Sequence, residues 1–188
     1  MLFRSGKEIG PILRRFFMNT LFDSTFMQLG IIIGSAFAGD PDLRLIIGTL
    51  ISSSVALGIS TGVSVYESET LERERKIVEL EKALFRKLDN TTIHEDYKTC
   101  ARVLSIVNSF TPLGCCLIAL VPFFLAGLQL LDIMTASWIS VVLSLGILFV
   151  AGTYLGRLGK RRPFIKGLRM VMFGIVAFIV GFLIQILI

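Results

Sequence analysis

The 188 residues predict an all-α, polytopic membrane protein with five transmembrane helices, the second of them extended into the cytosol. Hydrophobic residues make up 54% of the chain and charged ones 18%, more apolar surface than a soluble domain of this size can bury. The apolar residues gather in five runs, at 21–39, 45–66, 103–128, 133–155 and 167–188. Each is near the roughly 20 residues that cross a hydrocarbon core about 30 Å thick. Closed β-barrels, the other spanning architecture, need strands of alternating polarity, and these runs do not alternate.

Ahead of the first run, Ile9, Leu13, Phe16 and Phe17 recur at near-helical spacing beside Arg14 and Arg15, with Pro11 tolerable in a first turn. The pattern predicts an amphipathic helix at the inner interface, a gate or simply a float, leading into span one. Basic residues interrupt this stretch too early for a cleavable signal peptide. Of the 19 Lys and Arg, all but Arg44 lie before span one, between spans two and three, or in the connection between spans four and five and the first residues of span five. Five spans put these three segments on one side, which the positive-inside rule makes cytoplasmic. The amino terminus is then inside and Ile188 outside. The net charge of +5 is accounted for by this topology and by anionic membrane lipid, so no nucleic-acid partner is implied.

The outer connections, 40–44 and 129–132, are short enough to make spans one and two, and three and four, antiparallel neighbours. Three segments result: residues 1–66 with spans one and two, the acidic cytoplasmic segment 67–102, and residues 103–188 with spans three to five. Residues 67–88 contain no Gly or Pro and are rich in Glu, Leu, Lys and Arg, so span two continues as one helix into the cytosol. A break is expected at Asp89, Asn90, Thr91 and Thr92, with a short second helix from Thr92 leading into span three. Three small-residue pairs, Gly30 and Gly34, Gly58 and Gly62, and Gly152 and Gly156, predict close helix packing, within a subunit or across a dimer. Pro112 and Pro122 free carbonyls in span three and bend it. Cys100, Cys115 and Cys116 lack metal-finger spacing and read as reduced packing residues.

Two groups of side chains point to chemistry. Asp23 sits about one turn inside span one, where an ionisable group usually faces a cavity or pathway. Met27 follows one turn on, so a carboxylate and a thioether can meet one cation. The competing reading makes Asp23 the N-cap of a helix starting at Ser24. The second group is the heptad-spaced stripe Glu67, Glu74 and Glu81, with Glu69, Glu72 and Glu79 nearby, lying between the apolar stripes Leu71–Val78–Phe85 and Ile77–Leu80–Leu84. Carboxylates set against a partner helix need cations or Lys and Arg to neutralise them, so the stripe is a metal-capture site or a salt-bridged face using Arg75, Lys76 and Lys82. His94, beside Glu95 and Asp96, is the single imidazole available as a ligand. No nucleophile–base pair, phosphate-binding Gly loop or zinc-protease motif is present, so no enzyme activity and no prosthetic group are expected.

Four segments resemble the vacuolar iron transporter family in order and topology: FDSTFMQLGIIIGSAFAG in span one, GISTGVSVYESETLERE at the end of span two, LIALVPFFLAG in span three and GRLGKRRPFIKGLRMVMFG before span five. The resemblance implies a homodimer that exports Fe²⁺ or Mn²⁺ from the cytosol in exchange for protons, the metal being cargo. It lies in the cell membrane of a prokaryote or a vacuolar-type membrane of a eukaryote. It gives Asp23, with Met27, a place in the translocation path, and Glu67, Glu72, Glu74 and Glu81 the role of cytoplasmic capture. The family's Met and Glu positions in span two fall on Leu57 and Thr61, so a hydroxyl at Thr61 lines the path where the family has a carboxylate. The first proline of the family's span three falls on Ala119, and the cytoplasmic segment is shorter than a three-helix metal domain. A reading from a different class is a membrane scaffold whose cytoplasmic helix forms a coiled coil through its apolar stripes.

Overall fold

The computed structural model describes residues 2–37, 41–84, 92–159 and 162–187. Five helices follow one another: α1 (Leu2–Ala36), α2 (Leu43–Leu84), α3 (Thr92–Gly127), α4 (Ile133–Leu158) and α5 (Pro163–Leu187). Each holds a stretch long and apolar enough to cross a membrane, and no strand occurs among the described residues. With no water to satisfy N–H and C=O groups, apolar runs of this length close their hydrogen bonds within the helix.

The differences from expectation lie on the amino-terminal side, where α1 begins and α2 ends. The amphipathic stretch is not a separate interfacial helix. It is the first part of α1, which runs unbroken for 35 residues with Pro11 inside it, about 52 Å at 1.5 Å per residue. Its span-forming stretch is Gly10–Ala36, longer at its start than the expected 21–39. The extension of span two is present: α2 has 42 residues, about 63 Å, roughly twice the hydrocarbon thickness. The expected helix from Thr92 is there too, continuous with span three. The break expected at Asp89, Asn90 and Thr91 lies outside the described residues, as do the side chains of His94, Glu95 and Asp96. On the opposite side, α3 closes with Gln129 in the left-handed region (φ 58°) and the amide of Leu130 donating to the carbonyl of Leu125 at 3.1 Å.

Two antiparallel pairs, α2 with α3 and α4 with α5, make the broadest contacts, and α1 touches all four other helices. Two of the three small-residue pairs work inside the subunit. A Cβ on Gly58 would stand 2.5 Å from the carbonyl oxygen of Ser109, and one on Gly62 would meet the Ser109 side chain. The Ser105 hydroxyl also donates to the Gly62 carbonyl at 2.7 Å. Gly156 would meet Pro163 at 2.5 Å and Gly152 would meet Gly167 at 2.9 Å, which seats α4 on α5. A Cβ on Gly30 or Gly34 would meet no described residue outside its own stretch of helix within 4 Å. Away from the amino-terminal side, Phe37 packs edge-on against Trp138, Phe178 and Phe182, with centroids 5.1 to 6.1 Å apart, and ties α5 to α1. The three cysteines are buried and none is in a disulfide. Both Pro112 and Pro122 lie inside α3. The carbonyl of Asn108, left without its helical donor by Pro112, has the Thr61 hydroxyl at 3.5 Å.

An odd number of spans separates the two ends of the bundle. A reporter inserted near Asn90 and one fused after Ile188 are therefore expected on opposite sides of the membrane, as read by protease or thiol-label access. Equal access from one side would rule out the five-span fold.

Candidate functional site

Asp23 lies in the middle of α1, 21 residues after its start at Leu2. It therefore caps nothing. The neighbouring hydroxyls that made it look like a cap bond backwards into the same helix: Ser24 donates to the Thr20 carbonyl, and Thr25 donates to that of Leu21 at 2.8 Å. Ala36 is 13 residues further on, so Asp23 stands about 20 Å from that end of the span-forming stretch Gly10–Ala36 and an equal distance from its start.

The carboxylate does not point into the subunit. Asn19, Asp23, Gly30 and Gly34 are all exposed, and Met27 between them is half-buried. The spacings of four, four, three and four keep them on one stripe of α1. Within it the Asn19 amide donates to Asp23 Oδ2 at 3.2 Å. No described Lys or Arg pairs with Asp23. A carboxylate, an amide and two glycines with open space thus share an outward face of a membrane helix. Lipid is a poor neighbour for such a face.

Thr61 is turned elsewhere. It is half-buried on α2, donates to the Leu57 carbonyl at 2.8 Å, and faces Asn108 of α3. A different strip of α2 is exposed, with Ser52, Ala56, Ser60 and Ser64 four residues apart.

On the projecting half of α2, Glu67, Glu72 and Glu74 are exposed and Glu81 is half-buried. Glu72 pairs with Lys76 at 3.6 Å in the open, and Glu69 pairs with Arg73 at 3.3 Å in a buried position. Both pairs lie beside the Glu67, Glu74 and Glu81 stripe, and Lys76 is one of the cations expected to neutralise it. Seven residues separate successive members of the Glu67, Glu74 and Glu81 stripe, about 10 Å along the axis, too far for one ion to touch two of them. Among the described residues no three of His, Cys, Asp or Glu stand together as a metal site. Leu71 and Val78, beside the stripe, are exposed as well.

A family model described as the VIT family, the vacuolar iron transporters, matches residues 91–185 of the chain, just over half its length. The chain belongs to the VIT family. It is also 27% identical, over 175 residues, to an uncharacterized protein of Methanocaldococcus jannaschii, an alignment that covers 91% of this chain and 87% of the relative. VIT proteins are membrane metal-ion transporters. The family match runs through α3, α4 and α5, so Asp23 and the glutamates of α2 lie outside the matched residues.

Inside this VIT subunit the structure also assembles a polar layer that the sequence reading did not single out. The Thr20 hydroxyl donates to Asn108 Oδ1 at 3.0 Å, and Asn108 Nδ2 donates to the Leu104 carbonyl at 2.8 Å. Gln28 Nε2 reaches the Pro112 carbonyl at 3.4 Å. Its Oε1 and the Ser54 hydroxyl are buried without a protein partner. The available signal was the polar density of residues 19–28 within an otherwise apolar run. Interhelical bonds of this kind hold membrane helices together where the hydrophobic effect does not.

Proposed function

We propose that this protein is a homodimeric exporter of Fe²⁺ or Mn²⁺ from the cytosol in exchange for protons, with Asp23 as the shared site. One observation carries the reading: Asp23 and Met27 lie on the same α1 stripe as Gly30 and Gly34, and that stripe is open at Asp23 and at both glycines. Two such stripes facing each other across a two-fold axis bring two carboxylates and two thioethers together, with the glycines letting the backbones approach. In that low-dielectric seam two unneutralised carboxylates are costly, so protons and a divalent cation compete for them. Occupation by one expels the other, which makes the exchange obligatory. The positive-inside distribution of Lys and Arg supports an amino terminus in the cytosol, and α2 then projects there to gather cations. Family membership favours transport over a purely scaffolding role.

The test is flux in vesicles holding the purified protein, with an acid interior and Mn²⁺ outside. Mn²⁺ should enter as the interior becomes alkaline, and a collapsed pH gradient should stop the uptake. Absence of Mn²⁺ and Fe²⁺ flux under either gradient counts against the proposal.

The capture role of α2 is tested separately. Glu67→Gln, Glu74→Gln and Glu81→Gln together should raise the metal concentration for half-maximal flux about tenfold, the effect of roughly 1.4 kcal/mol of lost attraction. The maximal rate should be unchanged. An unaltered concentration dependence would assign these residues to a salt-bridged face of the helix.

A further inference from the structure

We propose that the subunit holds a phospholipid with an anionic headgroup in a groove between α1, α3 and α4. The groove has a volume of about 1070 Å³. One wall runs from Gly10 to Leu21 on α1 and the other from Val142 to Tyr154 on α4, with Val107 and Ile118 of α3 between them. At 1.5 Å per residue these walls are about 17 and 18 Å long. That matches one leaflet of a hydrocarbon core about 30 Å thick. The groove thus has the length of an acyl chain lying along the protein in the leaflet on the amino-terminal side.

Its lining residues are apolar except Arg14 on α1 and Tyr154 on α4, both in the parts of their helices nearer that side. No described carboxylate pairs with Arg14. Arg157, exposed and three residues beyond Tyr154, adds a second cation on the same side of α4. An apolar slot with cations at its headgroup end is complementary to an anionic lipid: the chains fill the slot and the phosphate meets Arg14 and Tyr154. The spaced pair Gly30 and Gly34 lies beyond the Leu21 end of the groove, whereas Gly10, also open, lines it.

Gly146 is an exposed lining residue, and a Cβ there meets nothing within 4 Å, so the groove can be filled without disturbing the subunit. The experiment is native mass spectrometry of the full-length protein, stripped of lipid in detergent and then titrated with phosphatidylglycerol or phosphatidylcholine of identical chains. The wild type should bind phosphatidylglycerol at least fivefold more tightly, since one basic residue at a membrane surface contributes about 1 kcal/mol. Arg14→Gln should reduce that preference about fivefold while keeping binding of phosphatidylcholine. Gly146→Phe should abolish the bound lipid of both kinds, with an unchanged melting midpoint. Val150→Trp, at another exposed lining position, gives the same readout if Gly146→Phe does not fold. Equal affinity for the two lipids, or lipid binding that survives both groove-filling variants, overturns the proposal. So does a groove-filling variant that dissociates a dimer without changing lipid binding, which would assign the groove to a second copy.

Discussion

Asp23→Asn is expected to leave the protein folded, in the membrane and dimeric while reducing Mn²⁺ flux and coupled proton movement together by on the order of a hundredfold, the scale of losing a desolvated charge partner. The amide keeps the size of the side chain and can still accept the hydrogen bond from Asn19. Helix α1 begins 21 residues earlier, so no cap is lost and its stability is expected to be unchanged. What disappears is the charge that a cation and a proton would share. An amide cannot balance a divalent ion or release a proton, so the two fluxes should fall by the same factor. The decisive measurement is simultaneous Mn²⁺ uptake and internal pH in vesicles of wild type and variant at matched protein content. Wild-type flux still coupled to protons would remove Asp23 from the exchange site. Loss of metal flux with proton movement retained would separate two pathways that the proposal makes one.

The fold was legible because the bilayer leaves few choices. A run of apolar residues closes its own hydrogen bonds, and a Gly-free, Pro-free continuation such as 67–84 carries the helix on. Helix starts were less legible, as α1 shows. Residues 10–20 mix Arg14 and Arg15 with Phe16, Phe17 and Met18, and hydropathy alone places the boundary after them, whereas the backbone continues through without a break. The two readings of Asp23 were undecidable in the sequence for the same reason, since an Asp followed by Ser and Thr fits a cap equally well. The glycine pairs show a different limit. Spacing gives all three the same pattern, yet Gly58 and Gly62 meet Ser109, Gly152 and Gly156 meet α5, and Gly30 and Gly34 meet nothing. Which face of a helix finds a neighbour depends on how the other four helices are placed, and a local motif does not encode that.

This third pair supplies the second large effect. Gly30→Leu with Gly34→Leu is expected to leave the subunit intact, because both positions open onto free space. If the α1 stripes meet across a two-fold axis, leucines there hold the helices apart. Overpacking a close contact costs about 1–3 kcal/mol at each site, so the dimer dissociation constant should rise at least about thirtyfold for the pair. Metal flux should fall with it, since one subunit alone would present Asp23 to lipid. Gly62→Leu is the contrasting variant. Its side chain would run into Ser109 inside the subunit, and the expected result is a lower melting midpoint and poor yield, with no dimer-specific effect. Sedimentation in detergent, melting and flux measured on the three proteins separate the possibilities. Dissociation with loss of flux in the double variant, alongside destabilisation in Gly62→Leu, is the pattern the shared seam requires. A double variant that is monomeric and still carries Mn²⁺ would put the pathway inside one subunit, where Thr20, Gln28, Ser54 and Asn108 are among the buried polar residues. One that remains dimeric with normal flux would move the interface off α1 altogether.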